Sequence, residues 1–220
     1  MFSYFAYGAS PPINQARLLL THLRGGDYAH AGDAEAIDLV ISKVLELSPY
    51  VVEGPCLDVG SGFGGTANDL HRLQFHSIFG MDIDAAAVKY AQEHYPHISF
   101  IQGNACQANE LFDSESFSFI YLFNVLYSIE NKVSLLAALT HIARPGALLA
   151  IFDYTTKKTS LRLNDLADKP MYPIVITELK STLEELGWDV MEITDLSSHF
   201  LTWYQAASKN LFKSIHCTER

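Results

Sequence analysis

The sequence predicts a doubly wound α/β fold: a mostly parallel sheet with helices on both faces, preceded by an N-terminal helical lid. Three observations carry that prediction. From residue 54 onward, short apolar runs alternate with amphipathic stretches. The run Cys56-Leu57-Asp58-Val59 feeds a glycine-rich turn, Gly60-Ser61-Gly62-Phe63-Gly64-Gly65. A second apolar run ends in an acid, Gly80-Met81-Asp82. A buried strand that passes into a helix through glycines is the local structure of a nucleotide-like ligand site, because a Cβ there meets the ligand or strains the backbone.

The elements follow in order. Strands are expected at residues 55–59, 77–81, 98–102, 117–123 and 147–153. Helices are expected at 65–73, 85–93, briefly after Asn104, and at 132–143. Pro145-Gly146 marks the turn into the fifth strand. Further on, 177–186 reads as a helix, 189–194 as a sixth strand and 198–215 as a final amphipathic helix carrying Lys209 and Lys213. Upstream, Pro11-Pro12 breaks the chain, 14–23 allows a short helix and 25–33 is loop-like. Asp33 is placed to cap a helix whose stripe is Ile37, Val40, Ile41, Val44 and Leu45, and Ser48-Pro49 ends it. The organisation is then a lid and helix over 1–53 and a core with a C-terminal helix over 54–220, together one structural domain.

Composition narrows the function classes. Of 220 residues, 49% are hydrophobic and 18% charged, enough for a sizeable core. Fifteen basic against 25 acidic residues give a net charge of −10, the wrong sign for a surface that tracks phosphates, so nucleic acid is not an expected partner. Cys56, Cys106 and Cys217 show no metal-ligand spacing, nor do the histidines, so no metal is expected. The N-terminus lacks a basic segment, and no apolar run approaches the ~20 residues of a membrane span. A cytoplasmic protein that keeps its cysteines reduced is expected.

Two acids qualify the glycine turn. Asp58 stands just before it, and Asp82 follows roughly twenty residues later, the separation at which an acid accepts hydrogen bonds from ribose hydroxyls. A pyrophosphate is poorly served by Asp58; a cation with an amino-acid tail is well served. Together with Gln102-Gly103-Asn104-Ala105 after the third strand and Arg144-Pro145-Gly146 before the fifth, these residues resemble the class I S-adenosylmethionine-dependent methyltransferases over roughly 54–195. The resemblance implies S-adenosylmethionine as cofactor. It places Asp58, Gly60, Ser61 and Gly62 at the methionine moiety, Asp82 at the ribose, and Ile83, Asn104 and Ala105 at the adenine. Asp84 reads as a helix cap. Gly60, Gly62 and Gly65 also satisfy the dinucleotide fingerprint, but 220 residues leave little room for a dehydrogenase's substrate domain.

The acceptor site is expected at the carboxyl ends of strands four and five, at Asn124, Tyr127, Ser128, Asp153 and Tyr154. Asn124 and Tyr127 have the spacing of the Asn-Pro-Pro-Tyr element of amino- and adenine-N-methyltransferases, without its prolines. The chain is similar to small-molecule methyltransferases acting on phosphoethanolamine, sarcosine and related amines, through the loop Tyr28-Ala29-His30-Ala31-Gly32, through Asp153-Tyr154, and through Asp195 with its following serines. That similarity sets Tyr28, His30 and Asn124 beside the cofactor. It sets Tyr127, Asp153, Tyr154 and Tyr172 at the acceptor. Ser128 stands where phosphobase enzymes carry a histidine, and Leu20 near the place of their partner tyrosine. The expected reaction is methyl transfer to a small molecule, first at an amine nitrogen. A non-catalytic cofactor-binding regulator and a macromolecule methyltransferase are the alternatives. No seventh strand is read between the fifth and sixth, which leaves a homodimer possible through the open edge.

Overall fold

The computed structural model describes residues 18, 21, 24–156, 171–172 and 174–205. Five strands form one parallel sheet, β1 (Cys56–Val59), β2 (Ile78–Asp82), β3 (Ser99–Gln102), β4 (Phe117–Phe123) and β5 (Ala143–Phe152), in the order β3-β2-β1-β4-β5. Chain order runs outward from β1 in one direction and then reverses to β4, so the crevice at the carboxyl ends of β1 and β4 is the topological switch point.

The strands alternate faces. Cys56, Phe119, Tyr121 and Phe123 point to one layer, with α1 (Asp33–Leu47), α2 (Gly65–Arg72), α3 (Ala85–His94) and Phe200. Leu57, Val59, Ile120 and Leu122 point to the other, where α4 (Ala108–Leu111), α5 (Lys132–Ile142) and α6 (Ile176–Glu185) pack. Burial on both faces is why these strands read as nearly continuous apolar runs. A two-residue parallel pair, β6 (Thr155–Thr156) with β7 (Ile174–Val175), lies past the end of β5.

Three expectations change, and two lie partly outside the described residues. Residues 189–196 form no strand: Met191 and Ile193 are exposed, and among the described residues nothing pairs with the outer edge of β5. β5 starts at Ala143, and Pro145-Gly146 is a bulge inside it, with Gly146 at φ 77° where the register with β4 shifts. Asp33 does not cap α1. Gly32 occupies that position in a left-handed conformation, while Asp33 pairs with Arg24. The last helix runs over 197–205 as far as the structure describes it, and the expected helix at 14–23 lies mostly outside the described residues.

The expected cap at Asp84 is present, accepting from Ala86 N at 2.9 Å and Ala87 N at 3.4 Å. Asp84→Ala is expected to cost about 1 kcal/mol, read as a lower urea midpoint at unchanged slope.

Candidate functional site: the glycine turn and the strap above it

The turn after β1 is held from β2. Gly60 N and Ser61 N both donate to Met81 O, at 2.8 and 2.9 Å. Gly60, Gly62 and Gly64 have φ of 75°, 53° and 90°, and this left-handed run lets the backbone fold back and start α2. Asp82 completes the turn: its Oδ2 accepts from Gly62 N at 2.8 Å and its Oδ1 from Asp84 N at 2.9 Å. A carboxylate has about four acceptor positions, so each oxygen keeps one for a hydroxyl pair. Ile83, next to it, is 70% exposed. Gly103 N donates to Asp82 O at 2.9 Å, bringing the end of β3 and Asn104-Ala105 alongside.

Asp58 lies at the centre, 3% exposed, facing Tyr121 across the β1–β4 register. Its Oδ2 and the Tyr121 hydroxyl sit near one another without a hydrogen bond of ordinary geometry, and among the described residues the buried Ser61 hydroxyl likewise has no partner. Burial pushes the Asp58 carboxyl well above the usual carboxylate range, and the charge of Asp82 pushes it further. Three unpaired polar atoms at the switch point are what a polar ligand satisfies on docking. At Gly60 the backbone alone disfavours a Cβ, with φ at 75°, and a neighbouring side chain adds to it. The space a Cβ at Gly60 enters is filled by Val125, whose Cγ2 lies 2.4 Å from it, so this glycine fits the protein's own side chain. Gly60→Ala combines that contact with a positive φ and is expected to cost about 2 kcal/mol in thermal or urea unfolding.

Residues 24–31 form a strap over this turn. Tyr90 and Tyr95 donate to Asp27, at 3.2 and 2.5 Å, and Tyr28 donates to Asp69 on α2. A Cβ on Gly65 comes within 2.7 Å of the Asp27 backbone, so a side chain there displaces the strap. Arg24 donates to His30 O and Asp33 and stacks 5.4 Å above Trp203, tying the strap to the C-terminal helix. His30 is buried; its Nε2 is 3.0 Å from Thr66 Oγ1 and its Nδ1 2.9 Å from Ala31 O. Burial lowers it to about 4, so the ring is neutral. Both ring nitrogens are thus engaged within the protein, and Tyr28 is engaged with α2. Asn104 is engaged too. Its carbonyl accepts from Cys106 N at 3.0 Å as a turn cap, and Ala105 follows in that turn. Asn124 sits at φ 53°, takes Ala31 N on its Oδ1 at 2.9 Å, and keeps a buried Nδ2 without a partner at the switch point.

At the carboxyl end of β5, Asp153 organises the loop after β4. Its Oδ2 accepts from Leu126 N at 2.7 Å and Tyr127 N at 3.4 Å, and its Oδ1 from Tyr154 N at 2.7 Å. Burial pushes it up to about 6. Tyr127 and Tyr154 meet edge to face at 5.4 Å, and the Tyr154 and Tyr204 hydroxyls are bonded. Tyr172 N donates to Tyr127 O at 2.7 Å, while its hydroxyl turns outward to Glu130 at 3.4 Å. The structure therefore gathers Tyr127, Asp153 and Tyr154, with Tyr172 at the margin. Sequence reasoning did not single out Arg24, Thr66, Tyr121, Val125 or Tyr204. Only Tyr121 left a signal, as the one phenol inside the apolar fourth strand.

Residues 57–151 match the family described as methyltransferase domain. That match takes in the glycine turn, β2 to β4 and most of β5. Among curated proteins it is 27% identical over 205 residues to "O-methyltransferase rstn1" of Aspergillus nomiae, covering 83% of this chain and 89% of that one. Among solved structures it is similar to Haemonchus contortus phosphoethanolamine N-methyltransferase 2 in complex with S-adenosyl-L-methionine, with a TM-score of 0.80, 14% identity and 90% of this chain covered. The match spans 47% of that chain, about half its length. The [4+2]-cyclase SpnF is also similar, with a TM-score of 0.74, 18% identity, and 90% and 79% of the two chains covered. A cyclase on the same fold shows that architecture alone does not fix the reaction. No helix among the described residues is long and apolar enough to cross a membrane.

Proposed function

We propose that this protein transfers a methyl group from S-adenosylmethionine to a small-molecule acceptor. The observation that carries the reading is the set of unpaired buried atoms, Asp58 Oδ2 and Ser61 Oγ, beside an Asp82 carboxylate fixed by two backbone donors. Asp58, Gly60, Ser61 and Gly62 would receive the amino-acid tail, Asp82 the ribose hydroxyls, and the exposed face of Ile83, with Asn104 and Ala105, the adenine. The unpaired Nδ2 of Asn124 would donate to the tail's carboxylate, with the strap of Tyr28 and His30 closing behind it. When bound, the cofactor supplies an electrophilic methyl on a sulfonium, and the protein's part is in-line positioning in a dry site.

The acceptor atom we infer to be a hydroxyl oxygen. The support is the curated relative, named an O-methyltransferase, which matches along most of both chains. A second reading, the amine nitrogen expected from the sequence, is favoured by Asp153: backbone donors occupy both its oxygens, which suits an acceptor that needs no base. In either case Tyr127, Tyr154 and Tyr172 would shape the acceptor mouth. The reading keeps residues 1–53 as lid and 54–220 as core of one unit. It places the protein in a reducing cytoplasm, supported by the free thiols of Cys56 and Cys106. The unpaired edge of β5 supports a homodimer, for which sedimentation is the check.

The test is incubation with S-adenosylmethionine and matched phenol, alcohol and amine panels, with mass detection of methylated product. Product from phenols or alcohols supports oxygen transfer, and product from amines alone supports the second reading. Calorimetric binding of S-adenosylhomocysteine without any product supports a cofactor-binding regulator instead.

A further inference from the structure

Asp58 is the most deeply buried acid of the site, and among the described residues no cation acts on it. The groups that face it are the Cys56 thiol on its own strand, the Asp82 carboxyl on β2, the Tyr121 hydroxyl on β4 and the Ser61 hydroxyl of the turn. Burial holds the thiol and the phenol neutral. One neighbour is therefore a like charge and the others are neutral; the Tyr121 hydroxyl favours the ionised form, but burial outweighs it, and among the described residues Oδ2 makes no hydrogen bond of ordinary geometry. A buried carboxylate persists only when paired or well hydrogen-bonded; otherwise it takes up a proton. Below about pH 7.5 the α-ammonium of the cofactor carries the charge that this carboxyl lacks.

We propose that Asp58 is protonated in the free protein and ionises when the cofactor docks, so that cofactor binding releases one proton. The inference rests on the cofactor reading above and deepens it. In the step, the Asp58 O–H bond breaks, the proton passes to solvent, and the carboxylate left behind pairs with the incoming ammonium, so charge and atoms balance. The coupling is reciprocal: acid opposes the cofactor as much as the cofactor expels the proton. Affinity then falls about tenfold for each pH unit below the free protein's Asp58 value and levels off above it.

The probe is S-adenosylhomocysteine, which has the same amino-acid tail. Calorimetric titrations from about pH 5 to about pH 8, in buffers of contrasting ionisation enthalpy, count protons released per ligand bound. Release approaching one proton at the acid end, and declining toward the alkaline end, is the expected result. In Asp58→Asn the affinity is expected to drop and the release to vanish. Heats that do not depend on buffer, or an unchanged release in Asp58→Asn, overturn the proposal. Should that variant fail to fold, infrared difference spectra of the unaltered protein decide. Loss of a protonated-carboxyl band on adding S-adenosylhomocysteine supports the proposal, and persistence of the band overturns it. Absence of binding at every pH sinks the cofactor reading instead, so the two failures are distinguishable.

Discussion

Asp82→Ala is expected to weaken S-adenosylhomocysteine binding by at least about a hundredfold, with a smaller loss of stability. The carboxylate does two jobs. It accepts from Gly62 N and Asp84 N, which holds the glycine turn against the start of α3, and it keeps one acceptor position on each oxygen for the ribose. Hydrogen bonds to a charged group contribute about 1.5–3 kcal/mol each, and two lost to the ribose amount to roughly 3 kcal/mol or more of binding. Asp82→Asn keeps the shape but turns an amide N–H₂ toward one backbone donor, so it is expected to fall between the alanine variant and the native protein. Isothermal titration reads the affinities, and urea unfolding separates the structural share. Native affinity in Asp82→Ala would falsify the assignment of the ribose to this carboxylate.

What the sequence made legible here was what short range determines. The turn was readable because its glycines meet a local steric demand, and Asp82 because one helix and one strand set its distance from Gly60. Asp84 was readable because a cap depends on the two or three residues after it. The departures come from partners distant in sequence. Asp33 looks like a cap until Arg24 folds back and captures its carboxylate. The space above Gly60 looks open until the loop after β4 puts Val125 into it. Residues 189–194 carry strand-forming side chains, but a strand also needs an edge in register, and that segment does not reach β5.

The same logic explains why the acceptor side was least legible. Asp153 looked like a residue that meets substrate because it ends a strand at the mouth of the sheet. Its oxygens receive the backbone N–H groups of Leu126, Tyr127 and Tyr154, which fixes where those tyrosines stand. The partners are backbone groups, which no pattern of side chains announces.

His30 carries the second large effect, an acid-dependent loss of stability. It stands in a loop, where Phe123 at 4.8 Å, Tyr28 at 5.8 Å and Phe152 at 6.4 Å enclose it, and Arg24 adds a like charge against its protonation. Its folded value of about 4 lies below the unfolded 6.5, so the fold favours the neutral ring. The sign follows: this contribution is complete above about pH 6.5, declines as the pH falls, and is gone near pH 4. At 1.36 kcal/mol per unit the span is about 3 kcal/mol. Asp58 and Asp153, whose values are raised, act in the opposite direction over overlapping pH, so the native curve alone does not isolate the histidine. His30→Gln does. Its destabilisation relative to the native protein, from urea midpoints, is expected to shrink by about 3 kcal/mol between about pH 7 and about pH 4. A difference that stays constant with pH refutes a buried neutral ring. If the glutamine variant does not fold, proton NMR titration of the native histidine reads the same quantity, and a value near 6.5 gives the same refutation.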